Sequence, residues 1–328
     1  MAESKIEWTE RTWNPVTGCS KVSQGCKHCY AEVMHKRLTA MGVKKYSDPF
    51  SKVVCHYESL MNPLKVKTPS IFFVNSMSDL FHEDVPAEFI AYVFNTMAAF
   101  PLVCRKKDCE HDDPNCFMGE SETNHTYQIL TKRPERALKF FTEEIYEVTN
   151  RWPGSYPLCV ALGDDWPLPN VWIGVSVEDQ KAADERIPML LQIPAAIRFI
   201  SAEPLLGPIE LNKYDKELGI NWLTGLDENY PEEGINMKLD WVIAGGESGK
   251  NKNVRPMHPD WARGLRDQCK AAGVPFFFKQ WGEFKPIPLP CASVFFVEAQ
   301  YHFMRDGKKK AGALLDGVEY KEFPRSKQ

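Results

Sequence analysis

The sequence lacks the features that mark membrane, secreted and nucleotide-binding proteins. No apolar run approaches the roughly 18 residues of a membrane-spanning helix, and the opening segment MAESKIEWTE is too polar for a signal peptide. A G-x-G-x-x-G turn is also missing. The formal charge of −4 gives no global attraction to nucleic acid, so that any such binding has to be local. We therefore expect a cytoplasmic protein with no membrane partner.

What the sequence does contain is an alternation of two kinds of segment, and its 43% hydrophobic and 26% charged residues are typical of a globular chain. Short β-branched or aromatic runs alternate with amphipathic segments at helical spacing, which is the pattern of βα units. The runs are SIFFVNS from Ser70, YQILTKR from Tyr127, VWIGVSVE from Val171, IRFISAE from Ile197, WVIAGGES from Trp241 and VPFFFKQW from Val274. With one more strand before Cys19, this predicts an α/β fold, a partial or near-complete parallel (β/α) TIM-like barrel. A doubly wound open sheet is the alternative, which the missing glycine-rich turn disfavours.

Two polar segments interrupt this rhythm. Residues 103–126 are rich in Cys, Asp, Glu and His, and residues 212–239 form a second polar insertion. A clear βα unit is lacking from residue 286 onward. We therefore predict a barrel domain over residues 1–285 that carries both insertions, and a C-terminal extension over 286–328 that packs on the barrel.

Polar side chains follow every one of the predicted strands. The set comprises Asn75, Ser76, Ser78 and Asp79, then Thr131, Lys132 and Arg133, then Ser176 and Glu178, then Ser201 and Glu203, then Glu247 and Ser248, then Lys279 and Gln280. In a parallel barrel all these strand ends lie on one face, where active sites are built. We expect the functional site there.

The ten cysteines are unevenly spaced. Three lie within eleven residues, at Cys19, Cys26 and Cys29, in a segment that we call the cysteine loop (residues 19–29). In a chain without an export signal, clustered thiols more often bind metal than form disulfides. Three soft thiolates on one loop suit a [4Fe-4S] cluster with one iron left open. Structural zinc is the alternative, with His28 or His35 as fourth ligand.

Eight motifs extend this pattern along the chain. They are WNPVTGC from Trp13, GCKHCYAE from Gly25, NSMSDLF from Asn75, LTKRP from Leu130, GVSVE from Gly174, SAEPLLG from Ser201, GGESG from Gly245 and FKQWG from Phe278. With these motifs the chain resembles the radical S-adenosylmethionine (SAM) superfamily, and more closely a three-cysteine family of phage and bacterial proteins, the phage Gp37/Gp68-like proteins. The resemblance covers about residues 5–285. The sequence departs from the commonest superfamily spacing in its longer first gap, and His28 replaces the usual aromatic residue.

The resemblance implies a radical SAM enzyme. Such an enzyme uses a [4Fe-4S] cluster to cleave SAM reductively to a 5′-deoxyadenosyl radical, which abstracts hydrogen from a substrate. The implied cofactors are the cluster and SAM, and the implied partner is a reductase or an electron donor of the flavodoxin or ferredoxin type. A modified nucleobase or nucleoside in DNA is the favoured substrate.

The resemblance also assigns roles to strand-end residues. The methionine amino group of SAM would be bound by Asn75, Ser76 and Ser78, and the ribose hydroxyls by Ser176 and Glu178. Lys132 or Arg133 would meet the SAM carboxylate. The candidates for catalysis in the substrate pocket are Glu203, Glu247 and Lys279. We interpret GGESG as a tight turn that lets backbone approach SAM or substrate.

Two other functions stay open from the sequence. One is a nucleic-acid-binding or repair protein with a structural Fe-S or zinc site, in which Lys132, Arg133, Arg136 and Lys279 would contact phosphates. The other is a zinc-stabilised scaffold that recruits a partner.

A second cysteine group lies in the 103–126 insertion, at Cys104, Cys109 and Cys116, with His111 and His125 close by. A short polar insertion without its own core is a candidate for a metal staple. Zinc, a second Fe-S cluster and free thiols all remain open. Because the insertion connects a helix to the next strand, we expect it on the face opposite the catalytic loops.

Overall fold

A seven-stranded, all-parallel sheet, curled into a half-barrel, forms the centre of the computed structural model. The structure describes residues 3–98, 102–104, 118–120, 125–151, 167–227, 237–249, 252–288 and 301–325. The strands are β1 (Arg11–Trp13), β2 (Ile71–Val74), β3 (Thr126–Thr131), β4 (Val171–Ser176), β5 (Ile197–Ala202), β6 (Trp241–Gly245) and β7 (Phe276–Gln280). Each pairs in parallel with the next along the chain. The predicted parallel α/β architecture is confirmed, and the doubly wound alternative is wrong because the strand order never reverses.

Helices follow the strands as the amphipathic segments predict. They are α1 (Tyr30–Ala40), α2 (Ala87–Ala98), α3 (Pro134–Lys139), α4 (Ile145–Arg151), α5 (Gln180–Gln192), α6 (Pro259–Ala272) and α7 (Lys308–Ala311), with a π-helical turn at Phe140–Glu144 and 3-10 turns at Gln24–Cys26, Lys44–Tyr46, Tyr57–Ser59 and Pro63–Lys65. Asp179 caps α5 by accepting a hydrogen bond from the Ala182 N–H (2.9 Å), and Gly273 ends α6 in the left-handed conformation. No helix in the described residues is long and apolar enough to cross a membrane.

The two faces of the sheet bury different cores. On the helix-covered face, alternate strand residues such as Phe72, Val74 and Val242 pack with the apolar sides of the helices. On the other face, Phe73, Phe199, Trp241 and Phe277 form a second, largely aromatic core; Trp8 joins it from the segment before β1. Both faces are therefore buried, which explains why the strands are continuous apolar runs.

The described residues also form five short antiparallel pairs outside the central sheet. They join Val16–Thr17 to Val54–Cys55, Leu102–Cys104 to Met118–Glu120, Tyr214–Asp215 to Ile220–Asn221, Phe284–Pro288 to Tyr301–Arg305, and Leu314–Leu315 to Val318–Glu319. The described part of the insertion at 212–239 contributes apolar side chains to the core, which its polar sequence does not indicate. Its Ile220, Trp222 and Leu223 are buried in the helix-side core.

The C-terminal segment (residues 314–324) covers the outer edge of β7. The Phe278 N–H donates to Tyr320 O (2.9 Å), and Lys321 pairs with Phe277. Lys321 Nζ also lies 2.7 Å from Glu7 Oε2, so that residues from both ends of the described chain meet beside this edge. The strand pair Phe284–Pro288 and Tyr301–Arg305 spans residue 285, where the sequence predicts the barrel domain to end.

Candidate functional site

The cysteine loop lies across the carboxyl ends of the strands. It connects β1 to α1, and residues that follow β2, β3, β4 and β6 all contact it. These contacts place it on the face where parallel barrels carry their active sites. Arg133, Glu178 and Arg255, which follow three different strands, all contact this loop.

The residues after β2 hold the approach to the cysteine loop. Ser76 Oγ donates to Asn14 Oδ1 (3.1 Å), and Ser78 Oγ donates to Val16 O (2.8 Å). Asn75, whose φ is 59°, accepts the Val16 N–H on its Oδ1 (3.2 Å). Its Nδ2 is buried without a hydrogen-bond partner in the described residues. The three predicted cofactor-binding residues are thus together at the predicted edge, where they bind the chain itself.

After β3, Arg133 joins the cysteine loop to two strands. Its Nη2 donates to Ser20 Oγ (2.7 Å) and its Nη1 lies 3.7 Å from Cys19 Sγ. The same guanidinium contacts Asp79 Oδ2 (3.3 Å), while Thr131 donates to the other Asp79 oxygen (2.7 Å). Arg133 is only 6% exposed. A positive charge therefore lies beside the first cysteine, held there by a buried carboxylate.

After β4, Glu178 supports the middle of the cysteine loop. It is fully buried, accepts a hydrogen bond from Ser23 Oγ (2.7 Å), and pairs with Arg186 (3.0 Å) and Lys132 (3.3 Å). Burial by itself would raise the pKa of Glu178, but these two cations and the Ser23 hydrogen bond lower it below its ordinary value. A Cβ on Gly25 would lie 2.2 Å from Glu178 Oε1, so the close approach requires glycine there.

Ser176, the other residue predicted to contact the ribose, is also buried at the end of β4. Its backbone oxygen accepts a hydrogen bond from Arg186 Nη1 (2.6 Å). The pair Ser176 and Glu178 thus shares one cationic partner within the protein.

After β6, Glu247 anchors a third part of the loop. Arg255 Nε lies 3.1 Å from Glu247 Oε2, and Arg255 Nη2 donates to Gln24 O (3.2 Å). His28 Nδ1 lies 3.1 Å from the same Glu247 oxygen. Burial by itself would raise the pKa of Glu247, but the contacts with Arg255 and His28 lower it below its ordinary value.

The remaining candidates, Glu203 and Lys279, pair with each other. Lys279 Nζ lies 2.9 Å from Glu203 Oε1, and Ser201 Oγ donates to Glu203 Oε2 (3.2 Å). Both side chains are mostly buried. The nearby GGESG turn approaches protein, because a Cβ on Gly246 would lie 2.0 Å from Trp281 O. The approach of this turn to SAM or substrate stays a prediction.

The three thiols of the loop are partly exposed, and none is in a disulfide. Burial and the Asp79 carboxylate raise the pKa of Cys19 to about 11, against the opposing effect of Arg133. In the described part of the chain, no three His, Cys, Asp or Glu side chains are grouped so that they could hold one metal ion. A [4Fe-4S] cluster needs a wider spacing, because its thiolates bind different irons. The cysteine loop offers three free thiols for such a cluster.

The two proposed fourth ligands for zinc face other groups. The ring of His35 is buried between Tyr46 and Phe50, and its Nε2 lies 2.8 Å from Asp48 O. His28 faces Glu247. Among the described residues, neither histidine is grouped with the loop thiols into a metal site.

Most of the second cysteine group, namely Cys109, Cys116 and His111, lies outside the described residues. The backbone of Cys104 pairs with that of Met118. His125 accepts a hydrogen bond from the Ser70 N–H on Nδ1 (3.1 Å), and its Nε2 lies 3.1 Å from Val66 O. Since both ring nitrogens are engaged by backbone, His125 does not fit the ligand role that the sequence predicts for it.

Comparison with known proteins matches the chain to a protein family. The model of a protein family described as "Protein of unknown function (DUF5131)" matches residues 3–103 and 116–324. The chain belongs to this family. No curated protein and no solved structure matches it.

The part shared with the DUF5131 family includes the whole cysteine loop and all the strand ends that hold it. The interruption, at residues 104–115, falls inside the cysteine-rich insertion. Cys104 and Cys109 are therefore outside the matched segments, whereas Cys19, Cys26 and Cys29 are inside them.

Several residues that hold the cysteine loop in this DUF5131 protein were not predicted from the sequence motifs, notably Ser23, Arg186 and Arg255. Arg186 could have been found, because it occupies a core-facing position of an amphipathic helix between Ala183 and Leu190. A charge at such a position signals a buried partner. Arg255 and Ser23 lie in irregular segments and carry no such signal.

Proposed function

We propose that this protein is a radical SAM enzyme with a [4Fe-4S] cluster bound by Cys19, Cys26 and Cys29. The observation that carries the proposal is the anchoring of three free thiols over the carboxyl ends of a parallel half-barrel. When bound, the cluster and SAM would supply one-electron reductive cleavage and a 5′-deoxyadenosyl radical. The motif resemblance supports the same proposal and is the only support for a nucleobase or nucleoside substrate.

The chain's own residues would fix the position of the cluster. Arg133 holds Cys19 through an N–H···S contact, and Glu178 and Arg255 hold the loop at Ser23 and Gln24. Such contacts keep ligating thiols oriented and tune the charge around them. Lys279 and Glu203 present a paired cation and carboxylate at the ends of β7 and β5, on either side of β6, where a polar substrate could exchange partners with them.

The nucleic-acid-binding alternative is less well supported by the contacts. Lys132, Arg133, Arg136 and Lys279, the four cations that would meet phosphates, lie in ion pairs with Glu178, Asp79, Glu144 and Glu203 respectively. Cations already neutralised in this way attract a phosphate backbone weakly.

The test is anaerobic reconstitution with iron and sulfide, followed by reduction in the presence of SAM. We expect about four irons per chain, a brown protein, and release of methionine and 5′-deoxyadenosine. Cys19→Ala, Cys26→Ala and Cys29→Ala should each abolish cluster and cleavage. Cys55→Ala, which removes a partly exposed thiol outside the loop, should leave both intact. A colourless zinc protein, or cleavage by a variant lacking all three thiols, would rule the proposal out.

A further inference from the structure

Helix α1 presents an unusually exposed apolar face. Only His35 is buried along its length, while Tyr30, Val33 and Met41 are 63%, 67% and 66% exposed. At 3.6 residues per turn these three side chains and Arg37 form one stripe, opposite His35. Contiguous apolar exposure of this kind marks interaction sites in soluble proteins.

The segment around this stripe is also strongly basic. Residues 19–52 contain seven Lys and Arg but two Asp and Glu, a net charge of +5 in a chain of −4. Lys21 and Lys36 pair with Glu32, and Lys52 pairs with Asp48. In the described structure the exposed Lys27, Arg37 and Lys44 make no ion pair, which leaves their charge available to a partner.

We propose that this surface, which we call the α1 face (Tyr30, Val33, Arg37, Met41 and Lys44), docks an acidic one-electron carrier protein. The inference rests on the proposed function, since reductive cleavage needs one electron from outside for each SAM. The carrier would lose that electron and the iron-sulfur site would gain it. Because α1 starts at the residue after Cys29, a protein bound there lies next to the thiols.

The composition of the α1 face favours a protein partner over nucleic acid. Tyr, Met and Arg are enriched at the centres of protein interfaces, where apolar contact is surrounded by charge. A phosphate backbone would gain little from exposed Val33 and Met41. Opposite charges on the carrier would steer its encounter and raise the association rate, as in other transient complexes.

The experiment measures the rate at which a reduced acidic flavodoxin reduces the cluster of the reconstituted protein, by stopped-flow absorbance. The double variant Arg37→Glu with Lys44→Glu should slow this step about tenfold or more at low salt. The rate of the unmodified protein should fall steeply as salt is added. Val33→Ser, added to the double variant, should slow the reduction of the cluster further at every salt concentration.

Two controls separate docking from the chemistry. Lys309→Glu with Lys310→Glu makes the same charge change at exposed positions elsewhere and should keep the normal flavodoxin rate. Iron content, and SAM cleavage driven by dithionite, should be normal in all variants. Failure of the unmodified protein to assemble a cluster would overturn the proposed function itself.

The docking proposal has its own contrary outcomes. A cluster-loaded double variant that accepts electrons from flavodoxin at the normal rate would overturn it. So would a result in which the same variant keeps that rate and loses binding to a short DNA duplex, because the α1 face would then be a nucleic-acid site.

Discussion

The cysteine loop and the C-terminal segment both cover the central sheet, but by opposite means. The loop is held by side chains: Arg133, Glu178 and Arg255 reach it from different strands, and the first two are almost completely buried. The C-terminal segment pairs its backbone with β7 and packs Phe323 on Trp241, with ring centroids 5.0 Å apart. A few charged side chains therefore fix the position of the cysteine loop. Backbone pairing and apolar contact area fix the position of the C-terminal segment.

Removal of Glu178 should have the largest effect on stability and on the position of the cysteine loop. Glu178→Ala leaves Arg186 and Lys132 without their buried partner and releases Ser23, so we expect a loss of about 3–5 kcal/mol in the free energy of unfolding. Iron loading should fall as well, because the loop loses its central support. Glu185→Ala, on the exposed side of α5, is the matched control and should change stability by less than about 0.5 kcal/mol. Denaturant titration and iron analysis measure both; equal results for the two variants would contradict the assigned support role.

A methyl group at Gly25 should disturb the same contact from the loop side. The added Cβ would overlap Glu178 Oε1, so that Gly25→Ala should cost about 1–3 kcal/mol and lower iron content. Gly264→Ala is the matched control, since no atom lies within 4 Å of its added Cβ. That helical substitution should stabilise by about 0.5–1 kcal/mol. Thermal unfolding of both variants tests the prediction, and a stabilised Gly25→Ala would refute it.

Loss of an aromatic ring should affect the C-terminal segment alone. Phe323→Ala removes the contacts with Trp241 and Phe277 and should destabilise by about 1 kcal/mol. Phe323→Leu, which keeps much of the apolar area, should lose less. Iron loading should be unchanged in both, because no contact joins Phe323 to the described part of the loop. A loss of iron in Phe323→Ala would show that the two regions are coupled.

The smallest effect should come from a charged contact of the C-terminal segment. Asp316 pairs with Arg263 (2.6 Å) and Arg266 (2.7 Å), which lower its pKa to about 2. A lowered carboxyl pKa stabilises the fold above the ordinary value of 3.8, and this contribution is lost as pH falls toward 2. Because Asp316 is partly exposed, solvent limits the contribution to about 0–1 kcal/mol.

Asp316→Asn tests that charge while tolerating the φ of 55° at this position, since Asn also adopts the left-handed conformation. Its free energy of unfolding should be slightly lower than normal at neutral pH. The difference should vanish near pH 2, where Asp316 is half protonated or more. A difference that stays constant with pH would show that the ion pairs contribute nothing.

The strands could be predicted from the sequence because each is buried on both faces. Runs such as FFV after Ile71 and FFF from Phe276 leave no alternative pattern, and βα alternation then fixes the parallel order. The location of the polar strand ends followed from the same logic. The sequence therefore predicted correctly that Glu178 and Arg133 lie at the carboxyl ends of the strands.

What those side chains contact could not be predicted in the same way. The resemblance assigned Glu178 to the SAM ribose and Lys132 or Arg133 to the SAM carboxylate, and these roles stay predictions. The structure shows in addition that Glu178 and Arg133 bind the cysteine loop. Their partners Ser23 and Ser20 are 155 and 113 residues distant along the chain, and both lie in irregular backbone. No periodicity marks such positions, so only the folded geometry reveals the pairings.

The aromatic core on the face of the sheet opposite the helices has a consequence for the order in which the protein can be made. Trp8 packs against Trp241, with centroids 6.4 Å apart, although 233 positions separate them in the sequence. At the roughly 5–20 residues per second of ribosomal synthesis, Trp8 waits about ten to fifty seconds for that partner. During this interval Trp8 and Phe73 lack most of their neighbours and expose apolar rings in the nascent chain. Chaperone binding during translation should accordingly concentrate on the first quarter of the chain and end once β6 has emerged.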